Sequence, residues 1–315
     1  MHQFVSESAS EVGQLLIKQS VIIDTDIGDD IDDAFALALA LNSPEIDLQA
    51  VTTVFGDTYR RARLAAHLLQ AFGREDIPVA AGIGVPLLHR HRPSGAPQAA
   101  VVDGQEKLSA LSNISGPDLI IKKALAQHGQ LTLLCIGPLT NIAIALMREP
   151  ALFMAIRRVI MIGGSSTFPF AEWNVRSDAK AAQIVLGAGI PITMLGWDVT
   201  TRCKFREHDI VQLCSDHSPQ AQLLSKLLGV WQRHRPRGQS KLPYMHDPLT
   251  IAALCKPDLL RFEHMTVHII THGLFKGTMV PRVIEGPLVL AAVDIQAEQA
   301  HEWITQRILN VPAPS

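Results

Sequence analysis

Short runs of β-branched and aliphatic residues alternate along this chain with longer stretches whose apolar positions recur at helical spacing. Val21 to Ile23 is followed by Ala34 to Leu41, Leu48 to Val54 by Arg61 to Phe72, and Leu131 to Ile136 by Asn141 to Met147. The rhythm continues with a strand at Val159 to Ile162, a helix at Ala179 to Leu186 and a strand at Ile192 to Leu195. Helices are predicted at Glu207 to Cys214, at Gln220 to Gln232 and after Asp247. Strands at Thr266 to Ile270 and Leu288 to Val293 come next, then a terminal helix at Ala297 to Ile308. Parallel neighbours need a long crossover, and a helix between strands supplies one. The alternation therefore predicts an α/β fold, an open and mostly parallel sheet flanked by helices.

Two stretches break the rhythm. Gly82 to Gly104 is rich in Pro, Gly, His and Arg, and Trp231 to Tyr244 mixes cations with prolines, so both read as loops, with His89, His91 and His234 facing solvent. The alternation resumes on either side without a change of composition, which points to one domain over 21–315 behind an extension over 1–20. A hydrophobic share of 47% against 18% charged suits a buried parallel sheet. The net charge of -2 provides no broad attraction for nucleic acid or an anionic membrane, which favours a small-molecule partner. Cys135, Cys203, Cys214 and Cys255 are far apart and form no CxxC pair, as expected of reduced thiols in a cytoplasmic protein. No run of 18 uninterrupted apolar residues appears, and the first twenty residues, with Glu7, Glu11 and Lys18, read as neither secretory signal nor anchor.

The densest chemistry follows the first strand. Asp24, Asp26, Asp29, Asp30, Asp32 and Asp33 lie within ten residues, immediately before the apolar helix AFALALAL. Two unit charges about 4 Å apart repel by roughly 4 kcal/mol at an effective dielectric near 20, so carboxylates converging here imply a cation. Oxygen-only ligands select a hard ion, calcium or magnesium, over zinc. Capping of the helix by one or two of these aspartates accounts for part of the cluster, not for six. The Asp-x-Asp pattern is also compatible with a metal-dependent phosphatase of haloacid dehalogenase type. That chemistry wants a later Lys and a second acidic pair at a strand end, and no clear pair of that sort is present.

Four segments in order carry a more specific resemblance: DTDIGDDIDDAFALALAL from Asp24, AVTTVFGDT from Ala50, CIGPLTNIAIAL from Cys135 with VIMIGGSS and AEWNVRSDAKAA after it, and MHDPLTIAAL from Met245. Over nearly its whole length the chain resembles the inosine-uridine-preferring nucleoside hydrolases. The resemblance implies their Rossmann-like fold and calcium-dependent hydrolysis of the N-glycosidic bond of ribonucleosides, by a metal-activated water through an oxocarbenium-like transition state. By matching motifs, calcium would be held by Asp26, Asp33, Asp247 and the carbonyl of Thr140, with Asp30 a further candidate, and Asp26 would be the base. Glu172 and Asn174 match groups that grip the ribose. Asp32 matches another ribose ligand, although the aspartate loop is two residues longer than the shortest family form, which leaves the choice between Asp30 and Asp32 open. Asp57 and Ser166 fall at further sugar-contacting positions, Ser166 where many relatives carry Asn. Trp173 replaces the usual Phe, an aromatic ring able to stack on a base or close over the sugar. His246, next to Asp247, is the candidate acid for the departing base. The resemblance also implies a homodimer or homotetramer. A calcium-dependent nucleoside binder without turnover is the non-catalytic alternative, opposed by the complete set of acid, base and ligands.

Overall fold

The computed structural model describes residues 18–88, 95–102, 108–235, 238 and 240–309. Most of the expected N-terminal extension, and His89 and His91, lie outside the described residues. The strands are β1 (Gln19–Thr25), β2 (Ile46–Thr53), β3 (Val79–Ala81), β4 (Leu131–Cys135), β5 (Ile156–Ile162), β6 (Ile192–Leu195), β7 (Leu260–Ile269), β8 (Met279–Pro281) and β9 (Leu288–Ile295). Between them run α1 (Asp32–Leu41), α2 (Thr58–Ala71), α3 (Gly116–Gln127), α4 (Thr140–Arg148), α5 (Leu152–Ala155), α6 (Trp173–Ser177) and α7 (Ala179–Leu186). The series ends with α8 (Trp197–Thr200), α9 (Glu207–Ser215), α10 (Pro219–His234), α11 (Pro248–Cys255) and α12 (Ala297–Ile308).

All nine strands join one sheet in the order β3-β2-β1-β4-β5-β6-β9-β7-β8. Pairing is parallel from β3 through β9, and β7 then runs antiparallel between β9 and β8. The expected mostly parallel α/β sheet is present. Its antiparallel edge was not legible, because the first half of β7 is largely half-buried or exposed and carries Arg261, Glu263 and His264, and only its apolar end, from Thr266, carries strand character in the sequence. β1 begins at Gln19, opposite Ile46, so the last two residues of the expected extension belong to the sheet.

The two faces of the sheet carry separate apolar layers. One gathers α1, α2, α10, α11 and α12, and the other α3, α4, α5 and α7. Residues 34–40 of α1 are buried on every side of the helix, which is why its sequence lacks a polar stripe. Because α1 leaves β1 toward one face and α4 leaves adjacent β4 toward the other, a crevice opens beyond the carboxyl ends of these strands. Open α/β sheets bind ligands at such a switch point.

Candidate active site

Segments leaving β1, β4, β5 and β6, together with the start of α11 and the end of α10, line one cleft of about 710 Å³ at this crevice. On its floor Asp32, Asp33 and Asp247, all buried, each bring a carboxylate oxygen within 4.8 Å of the others. Two of the three come from the first turn of α1 and the third from the N-cap of α11, so two helix starts aim them at one point. Thr25 orients Asp33 by donating to its Oδ1 at 2.5 Å, and the Asp247 amide donates to Asp32 Oδ2 at 3.4 Å.

Asp26 stands beside them, under the turn after β4. A Cβ on Gly137 would fall 2.7 Å from Val54 and 3.0 Å from Asp26 Oδ1, so glycine lets that turn close over the carboxylate. Burial pushes the carboxyls of Asp32, Asp33 and Asp247 well above their ordinary range, with neighbouring carboxylates adding to it. Burial, partly offset by Arg61, raises Asp26 to about 6. Behind the floor, Asp24 Oδ1 accepts from Thr52 at 2.5 Å and Asn141 at 2.7 Å, while its Oδ2 is buried without a hydrogen-bond partner among the described residues; burial raises it to about 7. Converging carboxylates with an orphaned acceptor behind them form an all-oxygen donor set that suits a hard divalent cation.

Glu172 and Asn174 meet this floor from the β5 side. Glu172 caps α6, accepting from the amides of Asn174 and Val175 at 2.9 and 3.2 Å, and burial raises its carboxyl to about 7. Asn174 donates to the Ile136 carbonyl at 2.9 Å. Trp173 is half exposed at the cleft wall, edge-on to Phe55 and covered by the Arg176 guanidinium 5.1 Å from its ring centre. His246 lines the cleft with Nδ1 2.7 Å from the Thr200 hydroxyl and its ring over Tyr244. Burial lowers its pKa to about 4, so near pH 7 the ring is neutral. It can donate a hydrogen bond, but an imidazolium, the form first expected to protonate a base, is disfavoured here.

Three expected residues turn their side chains to other partners. Thr140 opens α4 with its hydroxyl on Asp178 at 2.8 Å and is not among the cleft-lining residues; the residue of that turn which reaches the cleft is Ile136. Ser166 is buried with its amide and hydroxyl on Asp198 at 3.1 and 2.8 Å, so its polar atoms are already committed. Asp57 is exposed and caps α2, accepting from the Arg60 amide at 3.0 Å. Asp30 does line the cleft and takes the indole N–H of Trp231. His234 is exposed, as expected, but it is the last residue of α10 and not part of a loop, and it lines the cleft with Trp231 and Arg235. The expected helix over Gln220 to Gln232 is thus present as α10, and it runs two residues further, through Arg233 and His234, into the stretch whose cations and prolines suggested a loop.

The model of the inosine-uridine preferring nucleoside hydrolase family matches residues 21–308. A probable uridine nucleosidase 2 of Arabidopsis thaliana is 34% identical over 93% of this chain and 92% of its own length. The non-specific ribonucleoside hydrolase RihC of Shigella flexneri is also 34% identical, over 93% of this chain and 99% of its own. Among solved structures, a plant nucleoside hydrolase superposes with a TM-score of 0.83 at 29% identity, covering 93% of this chain and 99% of that one. A purine-preferring ribonucleoside hydrolase from Gardnerella vaginalis shares the fold, with a TM-score of 0.81 at 23% identity over 93% of this chain and 98% of that one.

Proposed function

The chain belongs to the inosine-uridine preferring nucleoside hydrolase family, and from that premise we propose that it cleaves ribonucleosides, uridine among them, to ribose and free base with the help of calcium. The observation that carries this reading is the meeting of Asp32, Asp33 and Asp247 beside Asp26 at the switch point of the sheet. Family membership displaces the phosphatase reading.

In our reading Asp26, Asp33 and Asp247 hold the ion, completed by the Ile136 carbonyl in place of that of Thr140. Ile136 lines the cleft, and Asn174 fixes the direction of its carbonyl. A calcium ion bound there would supply Lewis acidity, easing deprotonation of water and gripping vicinal hydroxyls. Asp26, buried beside the other carboxylates at the ion, takes the proton from water. Asp32, braced on the Asp247 amide, accepts from the ribose hydroxyls beside the ion, and Glu172 and Asn174 hold the far side of the sugar. The buried carboxylates of Asp32 and Glu172 also stabilise positive charge developing on the ring in an oxocarbenium-like transition state. When the Thr200 hydroxyl donates to His246 Nδ1, the proton sits on Nε2, from which it can hydrogen-bond to the departing base.

We further propose that the enzyme acts in the cytoplasm as a homodimer or homotetramer. The cysteines among the described residues are unpaired, and no helix among them is long and apolar enough to cross a membrane. The direct test is a reducing-sugar assay on uridine, inosine, adenosine and cytidine, with excess calcium and with chelator. Release of ribose that chelator abolishes and calcium restores is expected. Release that is indifferent to chelator would remove the metal from the mechanism, and none from any nucleoside would leave the binder reading.

A further inference from the structure

The aspartate loop is held from its outer side by a residue with no part in the chemistry described above. Arg61, on the first turns of α2, is fully buried. Its Nε donates to the Phe55 carbonyl at 2.7 Å, Nη1 to the Ile27 carbonyl at 2.9 Å and also to the Asp26 carbonyl, and Nη2 to Asp29 Oδ2 at 2.6 Å. One planar fork thus joins the loop after β1 to the loop after β2. The short 3-10 turn Pro97–Val102 continues the line: the Gln98 amide donates to the Gly28 carbonyl at 3.0 Å, and its side chain to the Asp30 and Asp29 carbonyls at 2.7 and 3.3 Å. Carbonyls 26 to 30 are therefore all engaged by donors from outside the loop. Gly28 adopts φ +124°, and a Cβ there would come 2.9 Å from that of Ala96, so the loop is pressed against this support.

We propose that Arg61 is a positioning residue of the active site, a guanidinium clamp that holds the carbonyl side of the aspartate loop outward so that Asp26, Asp32 and Asp33 face the cleft before any ion arrives. Burying a guanidinium is costly unless its donors are satisfied, and here they are satisfied by loop oxygens, so loop shape and charge burial depend on each other. The inference rests on the metal-dependent reading above. It differs from a plain counter-charge role in sign. By charge alone, a cation beside the cluster opposes a divalent ion, and removing it would tighten metal binding. As a clamp, its removal loosens the ligand geometry and weakens binding, as loss of outer supports does at metal sites by about 10–100-fold.

The test uses metal-depleted full-length wild type, Arg61→Lys, Arg61→Gln and Gln98→Ala, with folding checked by circular dichroism. Calcium chloride is titrated calorimetrically, and hydrogen exchange of the 26–33 amides is followed in the metal-free proteins. Arg61→Lys and Arg61→Gln should both bind calcium about 10–100-fold more weakly and exchange faster in this segment, with Gln98→Ala shifting both readouts in the same direction by less. If Arg61→Lys keeps wild-type affinity, or Arg61→Gln binds more tightly, charge and not the fork is at work and the clamp is overturned. Should Arg61→Gln fail to fold, Arg61→Lys and Gln98→Ala decide. Wild type that takes up no calcium would overturn the metal-dependent reading, whereas unchanged exchange in Arg61→Lys overturns the clamp whether or not calcium binds.

Discussion

Replacing Asp33 by Asn should stabilise the metal-free protein and destabilise the calcium-loaded one. Asn keeps an acceptor oxygen for the Thr25 hydroxyl, 2.5 Å away in the native protein, and nearly the same volume, so the change is chiefly one of charge. With carboxylate oxygens of Asp32 and Asp247 within 4.8 Å, each ionised pair repels by about 3.5 kcal/mol at an effective dielectric near 20. Part of that repulsion is already relieved by protonation, because burial and neighbouring carboxylates hold the Asp33 carboxyl well above its ordinary pKa. The net relief is therefore on the order of 1–2 kcal/mol, roughly 1.5–3 °C of melting temperature for a domain of this size. Calcium reverses the sign, since the variant then lacks an anionic ligand and loses the stabilisation that a tightly held ion confers. The assay is thermal unfolding of wild type and Asp33→Asn near neutral pH, with chelator and with excess calcium. The two curves should exchange order between the conditions. A variant less stable than wild type in chelator would show that repulsion on this floor is not what the metal relieves, and the electrostatic reasoning would fail.

Other outcomes follow from the same geometry. In chelator, stability should fall as pH rises from about 4 to about 7: Asp24 and Glu172 titrate near 7 and Asp26 near 6 when folded, so the native chain binds more protons than the unfolded chain across that window; melting curves at both ends, with and without calcium, check it, and calcium should flatten the fall. Asp26→Asn should lower kcat by about 10²–10⁴-fold with a small change in KM, as steady-state kinetics on uridine at saturating calcium would show; near-native turnover would require another base. His246→Ala should slow natural nucleosides by about 10²-fold and leave p-nitrophenyl riboside nearly unaffected, because a good leaving group needs no hydrogen-bond donor; equal losses on both would assign His246 to positioning.

How much of this was readable in advance depends on whether the relevant constraint is local. The aspartate run, the Glu172-Trp173-Asn174 segment and His246-Asp247 are each contiguous in sequence and sit immediately before or at the start of a helix, and the structure gathers them in one cleft. The three-residue strand β3 and the edge strand β8 were missed because so few residues leave no measurable period. Helix α3 had a usable signal, Ser115 before Gly-Pro-Asp, whose hydroxyl caps the Asp118 amide. Thr140 illustrates a different limit. A motif names a turn, but the residue of that turn which lines the cleft is Ile136, and α4 begins at Thr140 itself.

Arg61 and Asp24 mark the deeper boundary of what sequence shows. An arginine within TYRRARLAAHLL reads as one of several surface cations on an amphipathic helix, and nothing local separates it from Arg60 or Arg63. Its burial follows from two distant facts: the loop after β1 carries Asp29 toward α2, and Gln98 closes the other side. Each is a contact over more than thirty residues of chain, settled by the parallel pairing of β1 with β2. Asp24 likewise reads in sequence as one more member of the aspartate run, whereas it lies within buried β1 behind the floor, and the partners that make it tolerable, Thr52 and Asn141, come from neighbouring β2 and from α4 after β4. The acidic floor is thus assembled by local sequence, while the charges and donors that keep it in shape arrive through the order of strands in the sheet. A substitution behind the floor is therefore expected to disturb the geometry of the carboxylates on it, although nothing in its own stretch of sequence announces a role.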